Sequence, residues 1–224
     1  MDKIVTIDGP SGVGKGTASR GVARVLGWKW LDSGALYRVT AYAAQQAQVA
    51  FDDITSLVEV ASQLPVDFIL DSSDEPPIMF QGKAINALIR TEEMGNNASI
   101  ISKYPEVRAA LLARQQAFLT NQGLVADGRD MGTVVFPAAP VKFFLTSSAT
   151  VRAERRHKQL LAKGVDVNMR ALLAEIEARD AQDRNRAVSP LIPAEDAEVL
   201  DTSVLSIAQV QSHILQRIGD TLGV

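Results

Sequence analysis

Two rhythms of apolar residues run through this chain, one with the two-residue period of strands and one with the three-to-four-residue period of helices. Ile4-Val5-Thr6-Ile7 is a β-branched run that stops at Asp8-Gly9-Pro10-Ser11-Gly12, and Ala18, Val22, Val25 and Leu26 then recur at helical spacing from Lys15 to Leu26. This predicts strand, glycine loop, helix. Alanine-rich 35–47 and the stretch 54–64 read as helices. Period two returns at Val66, Phe68 and Leu70, a polar turn covers 71–77, and Ile78-Met79-Phe80 resumes a strand, which predicts a small antiparallel insert. Tyr104-Pro105 opens a further helix and Asn121-Gln122-Gly123 closes it. Strands are expected at 124–126 and 141–145, helices at about 150–163 and 168–184, a short strand at 199–201 and an amphipathic helix at about 206–218. Strands alternating with helices imply a mostly parallel sheet with right-handed crossovers, hence an α/β fold.

Composition narrows the class without changing that picture. With 46% hydrophobic and 22% charged residues the chain reads as globular, and no apolar run approaches the roughly 18 residues of a membrane span. The strand-like 4–7 follows Met1-Asp2-Lys3 directly, leaving no room for a signal peptide. With no cysteine in the chain, a cytoplasmic location is expected. A net charge of −3 offers no bulk attraction to a nucleic acid polymer or a membrane, and the lack of a large apolar stripe predicts a monomer. Charge is concentrated locally, however. Residues 151–170 hold Arg152, Arg155, Arg156, Lys158, Lys163 and Arg170 against two acids, enough to meet a small polyanion. His157 and His213 lack the partners of a zinc site.

Gly9-Pro10-Ser11-Gly12-Val13-Gly14-Lys15-Gly16-Thr17 supplies the pattern G-x-x-x-x-G-K between a strand and a helix. Glycines let successive N–H groups curl around one anion, and the helix that follows adds the positive end of its dipole. All nine residues are therefore expected to bind a nucleoside triphosphate, with Lys15 reaching the β- and γ-phosphates. The position after the lysine holds Gly16, so the hydroxyl that would face Mg²⁺ moves to Thr17. No Asn-Lys-x-Asp tetrad marks a guanine-specific switch. Transfer to a substrate requires a second site and a cover that excludes water. Arg152, Arg155 and Arg156, on one helix side, predict such a cover, and Arg179, Arg184 and Arg186 form a second group able to fork onto phosphate. A P-loop ATPase or switch without an acceptor remains the alternative.

Four ordered motifs then carry a resemblance from about Ile4 to Val204. They are the glycine loop, Leu31-Asp32-Ser33-Gly34-Ala35-Leu36-Tyr37-Arg38, Asp127-Gly128-Arg129-Asp130-Met131-Gly132-Thr133 and Asp183-Arg184-Asn185-Arg186-Ala187. The chain closely resembles the bacterial cytidylate kinase family, which moves the γ-phosphoryl of ATP to CMP or dCMP. The resemblance implies a P-loop nucleoside monophosphate kinase fold in one domain, 1–224. Its core would be about 1–31, 101–150 and 170–224, its monophosphate region with a small antiparallel insert about 32–100, and its arginine-rich lid about 151–169. It implies that Ser33, Tyr37 and Arg38 line the monophosphate site, that Ser99, Arg108 and Asp130 meet the cytosine, that Arg129 and Arg186 engage phosphate and that Asp183 approaches the ribose. Tyr37 is equally readable as a core aromatic and Ser99 as a backbone bridge. Lys15, Arg129, Arg186, Arg156 and Arg152 are the expected catalytic residues. Asp127, ending an apolar strand beside the loop, is expected with Thr17 to hold Mg²⁺, Asp127 doing so through water. Cytosine presents an amine that a carboxylate accepts from and acceptors that an arginine donates to, so Asp130 and Arg108 complement it, whereas uracil would set a carbonyl against the carboxylate.

Overall fold

The computed structural model describes every residue except 1, 74 and 163. Lys163, counted above in the basic segment, lies outside the described residues. Five parallel strands make the main sheet: β1 (Ile4–Asp8), β2 (Lys29–Asp32), β6 (Leu124–Gly128), β7 (Val141–Thr146) and β8 (Glu198–Asp201), in the order β2-β6-β1-β7-β8. β1 is central and all five of its residues are buried, which explains why its sequence is continuous rather than alternating. A three-stranded antiparallel sheet of β3 (Val66–Phe68), β4 (Ile78–Phe80) and β5 (Lys83–Ala84) is the expected insert with one additional strand. Gln81 and Gly82, both at positive φ, form the two-residue turn between β4 and β5.

Helices α1 (Lys15–Leu26), α2 (Ser33–Gln46), α3 (Ile54–Ser62), α4 (Asn86–Ile89), α5 (Glu92–Ile101), α6 (Pro105–Gln116), α7 (Ala149–Ala162), α8 (Met169–Arg184) and α9 (Ile207–Leu222) complete the order, with a π-helical turn at Met131–Val135. Capping fixes several starts. Asp32 accepts from the Ala35 N–H, Thr91 from Met94, Asn168 from Arg170 and Ala171, and Ser206 forms a capping box with Gln209. The insert joins the core through aromatic edges: Phe68 meets Trp30 at 5.7 Å and Phe118 at 5.4 Å, and Tyr42 meets Phe80 at 5.9 Å.

One pair of helices packs by itself. Ala153 of α7 with Leu172 and Ile176 of α8 form an apolar cluster separate from the main core. Arg152 ties this pair to the rest: its guanidinium donates to the Ser11 carbonyl at 3.1 Å, to the Ser147 carbonyl at 3.2 Å and to both oxygens of Asp180. Both side chains are buried, so removing one strands the other's charge. Asp180→Ala is expected to lower stability by about 3–5 kcal/mol, measured by chemical denaturation.

Candidate functional site

The carboxyl ends of β1, β2 and β6 carry the chemistry, as parallel sheets with crossover helices dictate. After β1 the chain curls through Gly9, Gly12 and Gly14 at φ of 145°, 82° and 94°. A Cβ at Gly9 would collide with the Leu145 carbonyl oxygen, so only glycine lets β1 turn there. Three loop carbonyls are held by buried side chains: Pro10 accepts from Lys15 Nζ at 2.7 Å, Ser11 from Arg152, and Val13 from the Thr202 hydroxyl at 3.1 Å. Among the described residues, no N–H from Ser11 to Gly16 donates to a protein acceptor. Those donors and the start of α1 form an anion cradle. Thr17 is exposed on the next helical position after Gly16.

Parallel register sets Asp32 of β2 beside Asp127 of β6, and Asp8 beside Gly128. Burial, with Asp32 adding repulsion, pushes Asp127 up to about 7. Asp127 Oδ2 accepts from the Ser19 hydroxyl at 2.6 Å and from the Trp30 indole at 3.2 Å. Asp8 accepts from the N–H groups of Met131 and Gly132 at 2.8 and 2.7 Å. It therefore anchors the π-helical turn that follows β6, and burial pushes it up to about 7 as well.

Beside the loop opens a small cleft lined by Ser33, Tyr37, Ser99, Arg108, Arg129, Asp130, Arg179 and Arg186, among others. All eight are positions that the sequence singles out, and they come from six separate elements and loops. Arg108 and Asp130 form a buried ion pair, and the Arg108 guanidinium lies 5.6 Å from the Tyr37 ring centroid. Burial pushes the Tyr37 phenol up to about 12. Ser33 accepts from Gln115 at 2.9 Å and Ser99 from Gln182 at 2.7 Å. Each hydroxyl thus spends a lone pair on a glutamine and keeps its proton for another acceptor.

Asp183 sits behind the cleft with both oxygens occupied, one by Arg129 and the other by Arg186. Burial opposes its charge, but those two arginines outweigh it and hold the carboxyl below its ordinary range. Arg38 is likewise set back. It donates to the carbonyls of Ile89 at 2.9 Å and Thr91 at 2.8 Å, which fixes it against the α4–α5 junction. The three arginines expected on one side of the basic helix reach three different places. Arg152 turns inward to Asp180, Arg155 donates to the Thr202 carbonyl at 2.6 Å, and Arg156 crosses to pair with Glu92 on α5.

Arg179 has a larger place in the cleft than its sequence position suggested. Burial, then repulsion from Arg129, pushes its guanidinium down to about 10. The available signal was its spacing: Arg179, Asp183 and Arg186 recur at four and three residues and so share one side of α8 and its extension. Arg108, Arg129, Arg179 and Arg186, which all line this cleft, each have a buried guanidinium N–H with no hydrogen-bond partner among the described residues. Buried donors are seldom left so, and their convergence describes a second anion site beside the first.

The family model described as Cytidylate kinase matches residues 5–220. A cytidylate kinase of Colwellia psychrerythraea (strain 34H / ATCC BAA-681) is 53% identical over 212 residues, spanning 95% of this chain and 94% of that protein. That of Pasteurella multocida (strain Pm70) is 52% identical over 221 residues, spanning 99% and 97%. That of Edwardsiella ictaluri (strain 93-146) is 53% identical over 219 residues, spanning 98% and 97%. With a family match running almost end to end and relatives of this identity across nearly their whole lengths, the chain belongs to the cytidylate kinase family.

Proposed function

We propose that this chain transfers the γ-phosphoryl group of ATP to CMP or dCMP, yielding ADP and CDP or dCDP. The observation that carries the reading is the juxtaposition of two anion sites, the glycine-loop cradle and the arginine cleft, with the Arg108–Asp130 pair in the second. A hydrolase needs only the first. A phosphate oxygen of CMP attacks the γ-phosphorus, and the bond from that phosphorus to the β,γ-bridging oxygen breaks as ADP leaves. The attacking oxygen is already anionic, so no side-chain base is required and positioning with charge neutralisation carries the rate. Lys15, Arg129 and Arg186 bear on the phosphates, with Arg179 among them. Asp130 accepts from the cytosine amine and Arg108 donates to the ring acceptors, while Ser33 and Ser99 offer hydroxyl protons. Arg38 and Asp183 support the phosphate and ribose sides from behind.

In this reading the lid, expected at about 151–169, extends over α8 as well, because α7 and α8 share one apolar cluster, and Arg156 exchanges Glu92 for a substrate phosphate when the lid shuts. Arg152 acts from beneath the loop, fixing the Ser11 carbonyl. The adjacent Asp32 and Asp127 carboxylates fit a divalent cation, because such an ion relieves the repulsion that helps keep Asp127 high. Asp127, with Asp32 beside it and Thr17 at the start of α1, would hold Mg²⁺. When bound, the ion neutralises negative charge on the transferred group. No described helix is long and apolar enough to cross a membrane. We place the protein in the cytoplasm as a monomer, the location and state expected from a chain with no cysteine and no large apolar stripe.

Burial, then Arg129, pushes Lys15 down to about 8, against the opposing pull of Asp127, Asp8 and Asp32. The free protein therefore loses this charge as pH rises through about 8. kcat/KM for ATP is expected to fall above that pH, while kcat, measured with phosphates against the lysine, stays level; pH–rate profiles check both. The reading itself is tested by incubating the protein with ATP and Mg²⁺ and following diphosphate formation from CMP, dCMP, UMP, AMP and GMP, with an acceptor-free control. Strong transfer to CMP and dCMP alone supports it. ATP hydrolysis indifferent to acceptor would replace it with the ATPase reading.

A further inference from the structure

We propose that Ser19 and Trp30 are positioning residues that clamp Oδ2 of Asp127 and so aim its other oxygen, Oδ1, at the cation. The inference rests on the reading of Asp127 as the carboxylate that faces Mg²⁺. Neither residue belongs to the glycine loop or to the cleft, and both are almost fully buried. Their polar atoms nevertheless converge on one carboxylate oxygen.

The geometry orders the protons. The Ser19 hydroxyl has a single hydrogen and two acceptors in reach, the Gly16 carbonyl at 3.2 Å and Asp127 Oδ2 at 2.6 Å. The shorter bond to the carboxylate takes it. Trp30 Nε1, which can only donate, lies 3.0 Å from the Ser19 oxygen and 3.2 Å from Asp127 Oδ2. Its N–H fills the acceptor side of the hydroxyl and touches the carboxylate as well. These two donors close on Oδ2, while Oδ1 has no hydrogen-bond partner among the described residues.

The indole is itself held in place. The Phe68 ring meets it edge-on at 5.7 Å with planes 85° apart, and the Arg20 guanidinium lies 5.6 Å from its centroid. Rotating the N–H away from Ser19 would break both contacts. Because Phe68 belongs to β3, the orientation of Asp127 is connected through Trp30 to the small antiparallel sheet. A buried tryptophan needs an acceptor for its N–H wherever it packs, so a purely structural role has to be separated by experiment.

Ser19→Ala removes one oxygen and Trp30→Phe removes the N–H while keeping a ring. Each is expected to raise the Mg²⁺ concentration for half-maximal CMP phosphorylation roughly 10-fold, as loss of groups that orient metal ligands commonly does, with KM for CMP unchanged. The double variant should be little worse than either single one, because both act through the same oxygen. A readout independent of turnover is available because Trp28 and Trp30 are the two tryptophans of the chain. In a Trp28→Phe background, Trp30 emission should change on adding Mg²⁺ with a non-hydrolysable ATP analogue, and Ser19→Ala should move the half-point upward by a similar factor. Unshifted half-points in both assays, with only a lower Tm, would assign the two residues to packing and overturn the clamp. An unsubstituted protein that makes no CDP would instead overturn the kinase reading, and the emission titration would still decide the clamp.

Discussion

Lys15→Ala is expected to reduce kcat by roughly 10²- to 10³-fold or more, the scale seen when one preorganised donor to a developing oxyanion is removed. Its fold should be unaffected. The Lys15 ammonium makes one hydrogen bond, to the Pro10 carbonyl at 2.7 Å, and is buried where burial itself disfavours its charge. Alanine thus deletes a charge that the folded protein holds at a cost, and Tm should hold steady or rise. Steady-state kinetics beside thermal unfolding separates the two effects. Ordinary turnover by this variant would remove the glycine loop from the reaction, and with it the kinase reading.

Asp130→Ala is expected to lower kcat/KM for CMP by about 10²-fold while leaving KM for ATP near its original value, since truncating one partner of a buried, hydrogen-bonded charge pair costs 2–5 kcal/mol. The asymmetry follows from position: Asp130 lies in the cleft against Arg108, whereas the loop that cradles the triphosphate has its own donors. Stability should decline as well, because Arg108 would be left buried without a counter-charge. Kinetics with each nucleotide varied in turn, and a denaturant titration, give the two readouts. Equal losses for ATP and CMP would exclude Asp130 as the group that reads the base.

Where sequence and structure agree, the physical signal is local. The glycine loop needs three backbone conformations with positive φ and carries three glycines for them, β1 is a continuous β-branched run, and α1 and α9 have enough buried periodicity to be read directly. Agreement weakens where tertiary contacts decide. β2 has four residues and no alternation, so Lys29-Trp30-Leu31-Asp32 becomes a strand only because β6 lies beside it. α5 contains Gly95, Asn96 and Asn97, poor helix formers. A Cβ at its glycine would lie 2.8 Å from the Arg38 guanidinium, which would have to shift to admit it. Helical spacing placed Arg152, Arg155 and Arg156 on one side of α7, but their long side chains diverge to Asp180, Thr202 and Glu92, partners that lie far away in sequence. The Ser19–Trp30–Asp127 set joins three elements, and no pattern within any one of them announces it.

The small apolar cluster that α7 and α8 keep to themselves bears on temperature. Heat-capacity changes scale with the apolar surface uncovered, and only three buried apolar side chains, Ala153, Leu172 and Ile176, form the heart of that cluster. What joins the pair to the glycine loop is instead the polar reach of Arg152. Swinging these helices away from the sheet as a unit, with their own cluster intact, exposes little hydrocarbon. If the pair moves as the proposed lid, the equilibrium between its shut and open positions should follow a nearly straight van't Hoff line over a range in which global unfolding is strongly curved.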